Sequence, residues 1–324
     1  MSLEHLDTPS ATRVVVIGAG FVGSTFAYTL LLSGLTAEIV LVDANQARAE
    51  GEAMDLSHAL PFSHASRVWA GDYADCAQAD VVVISAGVNQ KPGESRLDLV
   101  RRNADIFDQI IPRVTNSGFK GVLVVATNPV DVLTYLTIKK SGLPPQRVIG
   151  SGTILDTARF RFELSQYCGV DPRNVHAYII GEHGDSSRPV WSGASIGGMP
   201  LLDYCQARGL ELSSATQEQM FHRARDAARD IIARKGATYY AIAAGLLRLV
   251  EAILRDQNTV LCVSSMVHGY EGISDVCLSL PSIVNRSGLA QVLPLKLAPD
   301  EADGLRHSAQ VLKTSIASLE SPAN

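Results

Sequence analysis

Val14-Val-Val-Ile17, Gly18-Ala-Gly20-Phe-Val-Gly23 and the mostly apolar residues 24–33 follow one another without a break near the amino end of the chain. Four β-branched residues in a row, with no polar alternation, predict a strand covered on both faces. The glycines then read as a turn leading into a helix. The first permits the tight turn, the second lets backbone approach a ligand, and the third lets helix and sheet pack closely. A helix start offers free amides and a partial positive charge, which suits a pyrophosphate. The next strand, Ile39-Val-Leu-Val42, ends in Asp43, twenty residues beyond Gly23. A carboxylate there can accept from both hydroxyls of a ribose and would repel a 2′-phosphate, so NAD is expected rather than NADP. The plainer reading of Asp43, an acid capping the next helix, has the preceding glycine pattern against it.

Working outward, runs rich in β-branched residues at 13–17, 38–42, 80–85 and 121–126 alternate with stretches long enough for helices. That is the pattern of repeated βαβ units and a parallel sheet. After about Gly150 it changes to a helical stretch at 156–167, an apolar strand at 175–180, a long helix around 216–255, and an antiparallel hairpin from 259–267 and 276–284. The predicted fold class is α/β, a Rossmann-type doubly wound parallel sheet over residues 1–150 with a C-terminal α+β substrate domain over 151–324. No low-complexity linker separates the halves, so they are expected to pack as one unit.

Composition narrows the functional classes. A chain of 324 residues with 46% hydrophobic content can bury a large core, and its net charge of −5 offers no field for nucleic acid or acidic membranes. Its five cysteines, Cys76, Cys168, Cys205, Cys262 and Cys277, are odd in number and show no CxxC spacing, which points to a reducing cytoplasm. His58, His64, His176 and His183 lack ligand-like spacing with acids, so no metal is expected. The start, MSLEHLDTPSATR, has no apolar run, and no stretch reaches the roughly 20 residues of a membrane span.

In the second half, Val175-His-Ala-Tyr-Ile-Ile180 leads into Gly181-Glu-His-Gly-Asp185, which sets His183 between glycines just past a strand end. Alone, such a histidine is more often a bystander. Asp156 and Arg159, three apart in a predicted helix, share a face. One could hold the imidazole and the other a carboxylate, or they could form an ordinary ion pair.

Taken with Asn89-Gln-Lys-Pro-Gly-Glu-Ser-Arg96, Ala126-Thr-Asn-Pro-Val-Asp131 and Lys235-Gly-Ala-Thr238, these blocks resemble the L-lactate and L-malate dehydrogenase family over nearly the whole chain, and within it the bacterial lactate branch. The resemblance implies an NAD-dependent enzyme of glycolysis and pyruvate fermentation, with pyruvate and L-lactate as substrates. His183 would protonate the substrate oxygen, Asp156 would orient the imidazole, and Arg159 would grip the substrate carboxylate. Arg96 would close over the substrate carbonyl from a mobile loop, residues 90–96. That segment is polar, contains Pro92-Gly93, and is otherwise a surface turn. Cofactor contacts are implied for Gly18, Gly20, Phe21, Val22, Gly23, Asp43, Arg48, Gly87 and Asn128. Asn128 would also bind the substrate oxygen, although before Pro129 it reads as a turn residue.

Malate enzymes of the family usually carry arginine at the position of Gln90, and Thr238 matches lactate enzymes, so pyruvate is expected over oxaloacetate. Arg161 and His176 match residues that bind fructose 1,6-bisphosphate in allosteric bacterial members, which implies activation within a homotetramer. Otherwise both are solvated surface groups. Two other readings stand beside this one: a lactate-like malate dehydrogenase, and a non-catalytic NAD sensor on the same fold. The latter would not need the histidine, the acid and both arginines.

Overall fold

The computed structural model describes residues 11–88, 93 and 96–320. The first half alternates as expected: β1 (Arg13–Ile17), α1 (Phe21–Ser33), β2 (Glu38–Val42), α2 (Gln46–Ala59), β3 (Arg67–Ala70), β4 (Val81–Ile84), α3 (Arg96–Asn116), β5 (Val122–Val125), α4 (Val130–Ser141) and β6 (Val148–Gly150). These six strands are parallel and stand in the order β3-β2-β1-β4-β5-β6. Alternate residues of β1 face opposite cores. Val14 and Val16 pack with Phe26, Leu30 and Leu31 of α1, while Val15 and Ile17 pack with Phe107 and Ile111 of α3 and Leu133 of α4. Period-2 alternation inside a wholly apolar strand thus sets helices on both faces.

The chain continues as α5 (Ile154–Cys168), β7 (Val175–His176), β8 (Ile179–Ile180), β9 (Arg188–Pro189), β10 (Ser195–Ile196), β11 (Met199–Pro200), α6 (Leu201–Ala207), α7 (Ser214–Lys235), α8 (Tyr240–Leu254), β12 (Thr259–Val267), β13 (Val276–Asn285), β14 (Gly288–Val292) and α9 (Pro299–Glu320). The β12–β13 hairpin pairs antiparallel from Thr259↔Val284 to Val267↔Val276. It does not form a sheet of its own. Ser264 of β12 pairs with Gly150 of β6, so β12, β13 and β14 extend the parallel sheet to nine strands.

Two expectations are corrected. The single strand at 175–180 is two short ones in different sheets, β7 against β10 and β8 against β9. Where they part, the backbone is met in part from α5. Arg161 donates to the Ala177 carbonyl at 3.0 Å, and the Thr157 hydroxyl accepts from the Ile179 amide at 3.1 Å, while the Tyr178 carbonyl accepts from the Val190 amide at 2.9 Å. The long helix at 216–255 is broken into α7 and α8. Gly236 caps α7 in the left-handed region, at φ 82°, and the chain restarts at Tyr240.

The glycines of the first turn do different work. A Cβ on Gly23 would lie 1.9 Å from the Gly18 carbonyl oxygen, whereas one on Gly20 would meet nothing within 4 Å. Gly23→Ala is therefore expected to cost about 1–3 kcal/mol by overpacking. Gly20→Ala should cost no more than about 0.5 kcal/mol, yet lose most of the thermal protection that NAD confers. Melting curves with and without NAD separate the two effects.

Candidate active site

The carboxyl ends of β1, β2, β4 and β5 meet at the switch point of the sheet, where β1 and β4 are neighbours and their following chains diverge. Gly18, at φ 101°, leaves no room for a side chain beside Ala86. The Ser85 hydroxyl donates to the Gly18 carbonyl at 2.9 Å, and the Ala19 amide donates to Asp43 Oδ2 at 2.7 Å. Asp43 Oδ1 accepts from the Asn45 amide at 2.8 Å, but the cap of α2 is Asn45, which accepts from the Arg48 amide. Asp43 thus ties the glycine turn to β2, and each of its oxygens retains a lone pair for a further donor. Gly20 opens α1 with no side-chain cap. An uncapped helix start beside the open space at Gly20 fits a dinucleotide pyrophosphate.

The other expected cofactor residues fall around this turn. Val22 packs into the core beneath it, and the exposed Phe21 ring stacks on Tyr239 at 5.4 Å, next to Thr238 in the break between α7 and α8. Gly87 packs against Thr127, where a Cβ would lie 2.4 Å from the threonine methyl. Asn128 is exposed at the end of β5. Arg48 is in the exposed first turn of α2, and nothing in the hydrogen bonding of its side chain joins it to Asp43. One residue missed from sequence organises the rim. Asn103 of α3 is buried, accepts from the Val88 amide at 2.9 Å and donates to the Asn128 carbonyl at 2.8 Å. A buried amide on the apolar face of an amphipathic helix was the available signal.

The second cluster stands on α5 and the turn after β8. Asp156 Oδ2 meets His183 Nδ1 at 2.5 Å, and Asp156 Oδ1 accepts from Arg159 at 3.3 Å. One carboxylate therefore holds both groups, and the two sequence readings, imidazole holder and intrahelical ion pair, are both realised. The Asp156 side chain is 10% exposed, while His183, held at Nδ1, keeps 25%. Burial works against the imidazolium. The Asp156 charge and hydrogen bond outweigh it, aided by Asp131 and opposed by Arg159, and hold the His183 pKa up at about 9. Burial also pushes Asp156 up, but the His183 cation, its hydrogen bond and Arg159 keep the carboxyl below its usual value.

The remaining expected residues lie apart or outside. Arg96 is the first residue of α3, so the expected loop has already become helix at that position. Gln90 lies outside the described residues. Arg161 is half-buried, with its guanidinium on the Ala177 carbonyl and 5.2 Å from the Tyr178 ring, and His176, one residue before Ala177, is exposed on β7. A surface cleft of about 640 Å³ lined by Arg13, Trp69 and Asp75 contains none of these groups. Among the described residues, no group of three or more His, Cys, Asp and Glu could hold a metal ion, and no helix is long and apolar enough to cross a membrane.

A dinucleotide turn at the carboxyl end of the sheet, in one chain with an acid-held histidine and an arginine, is the equipment of a nicotinamide-dependent dehydrogenase. Comparison with known proteins agrees. Residues 12–150 match the lactate/malate dehydrogenase NAD binding domain, and residues 153–322 match the alpha/beta C-terminal domain of the same family. The chain belongs to the lactate/malate dehydrogenase family and is NAD-dependent. It is 54% identical over 306 residues to an L-lactate dehydrogenase of Priestia megaterium, covering 94% of this chain and 96% of that one. An L-lactate dehydrogenase of Bacillus caldolyticus is 53% identical over 307 residues, with the same coverage. Among solved structures, a minor L-lactate dehydrogenase from Enterococcus mundtii in the ligands-bound form superposes with a TM-score of 0.93 at 44% identity, over 96% of this chain and 99% of that one.

The Asp156–His183 pair has a testable pH signature. With its pKa raised from 6.5 to about 9, His183 adds stability that is fully present below 6.5 and lost as pH rises through about 9. The lowered Asp156 contributes above its unfolded value of 3.8 and is lost as pH falls. The melting-temperature gap between the wild type and Asp156→Asn should therefore be widest between these limits and narrow steadily toward pH 10.

Proposed function

We propose that this chain is an NAD-dependent L-lactate dehydrogenase that reduces pyruvate reversibly to L-lactate in the cytoplasm. The reading is carried by the sharing of Asp156 between His183 and Arg159. Such sharing would hold a proton donor and a carboxylate receptor a fixed distance apart, which suits a 2-keto acid. Residues 1–150 would serve the cofactor and 151–324 the substrate.

When bound, NADH supplies the hydride that adds to the keto carbon. Because Asp156 occupies Nδ1, the proton for the new hydroxyl leaves His183 from Nε2, and returns there in the reverse direction. Arg159 holds the substrate carboxylate with two parallel donors. Arg96, at the start of α3, would stabilise the oxygen as it gains charge, and Asn128 would donate to the same atom. Gln90 and Thr238 would bound a small neutral pocket for the methyl group. Oxaloacetate would bring a second carboxylate there without a partner, a loss of about 3–5 kcal/mol when such a pair is broken.

The first test follows NADH oxidation with pyruvate and oxaloacetate side by side. Pyruvate should be preferred by orders of magnitude, and its kcat/KM should fall as pH rises through about 9, where His183 loses its proton. Gln90→Arg should move the ratio of specificity constants toward oxaloacetate. An enzyme that prefers oxaloacetate before that change would be a malate dehydrogenase instead.

Regulation is part of the same reading. Arg161 and His176 would bind fructose 1,6-bisphosphate between protomers, relieving their mutual repulsion and favouring an active homotetramer. The bisphosphate should lower KM for pyruvate in the wild type, and Arg161→Gln should abolish that response. An intact response in Arg161→Gln sinks the assignment.

A further inference from the structure

The break between α7 and α8, residues 236–239, reads Gly-Ala-Thr-Tyr. Gly236 and Ala237 offer almost no side chain by which the segment could be held, so Thr238 depends for its place on the residue that follows. Tyr239 is the N-cap residue of α8, and its carbonyl accepts the Ala243 amide at 3.1 Å. Three groups hold its ring. Phe21 stacks on it with centroids 5.4 Å apart and planes 21° from parallel, and Tyr240 meets it nearly edge-on at 4.5 Å. The ammonium of Lys235, the last residue of α7, stands 3.7 Å from the Tyr239 centroid and 3.9 Å from that of Tyr240, which closes the break on itself.

Phe21 belongs to the other end of the site. It is the first residue of α1, next to Gly20 and the uncapped helix start that suits a pyrophosphate. Its ring is 63% exposed and that of Tyr240 67%, so the cluster buries too little to serve as core. Deeper down, α1 and α8 already pack through Phe26, Leu30, Ala243 and Leu246, all fully buried, and need no help from the rim to stay together. We propose that Tyr239 is a positioning residue for the substrate: docked on Phe21, its ring fixes the break from the cofactor turn and so holds Thr238 against the methyl group of a small 2-keto acid. The proposal rests on Thr238 bounding that pocket. With the ring gone, the break is tied at one end only, and the pocket loses both its grip on pyruvate and its exclusion of longer acids.

The test compares Tyr239→Leu, Tyr239→Phe, Phe21→Leu and the Tyr239→Leu/Phe21→Leu double variant in the full-length enzyme, at saturating NADH, with pyruvate and with the 2-keto acid one carbon longer. Tyr239→Leu should raise KM for pyruvate about fivefold or more while kcat stays within about twofold, and should narrow the preference for pyruvate over the longer acid. Tyr239→Phe keeps the stack and should behave as the wild type. Because the two rings act through one contact, the double variant should be little worse than either single change. An unchanged KM in folded Tyr239→Leu, equal damage from Tyr239→Phe, or additive losses in the double variant each overturn the proposal. Should Tyr239→Leu fail to fold, Phe21→Leu, at an exposed position, should show the same rise in KM, and no rise there is equally fatal. If Thr238→Gly leaves both KM values unchanged, the pocket reading itself fails and the proposal falls with it, whatever the Tyr239 variants do.

Discussion

The carboxylate of Asp156 stands between an imidazole and a guanidinium, and without its charge the two would face each other as like cations. Its position is set by one helix. Thr153, the N-cap of α5, and Thr157, in its first turn, stand on either side of Asp156 and hold the backbone of Ile179 at both its polar groups: the Thr153 hydroxyl donates to the carbonyl at 2.5 Å, and the Thr157 hydroxyl accepts from the amide at 3.1 Å. The same few residues that carry the acid therefore also anchor the strand that delivers His183. Separation between acid and base is fixed by hydrogen bonds to backbone, which are less free to slide than apolar contacts.

A comparable economy appears at the cofactor end. Asp43 binds the Ala19 amide as well as facing the site, and Asn103 holds the Val88 and Asn128 backbones together. Gly181 bridges to Ser279 on β13, so the turn bearing His183 is pinned to the hairpin on its far side too. Buried polar groups here are fully committed almost everywhere, which fits a rim that must keep its shape when a charged ligand enters.

How much of this was legible depended on the range of the interactions. The wholly apolar β-branched runs announced β1, β2, β4 and β5, because a strand buried on both faces needs no polar alternation and its composition is enough. The Asp156–Arg159 spacing was readable for the same local reason. The split of residues 175–180 was not, since it depends on Arg161 and Thr157 reaching from another element. Nor was the break before Tyr240 read, although Gly236 stood there as a stop signal within an otherwise helical pattern. Pairing of Gly150 with Ser264 joins residues with no shared periodicity, and nothing local in Asn-Pro-Val-Asp131 shows that this acid accepts the distant His183 backbone N–H.

That single register pair, Gly150 with Ser264, has a mechanical meaning. A sheet that runs unbroken through both halves of the molecule resists bending between them, because rotation of one half against the other would tear backbone hydrogen bonds from its middle. Many two-part enzymes enclose their ligands by swinging one body onto the other. Here the scaffold is stiff in that direction, and the turn that holds the histidine is tied into the same sheet through Gly181 and Ser279.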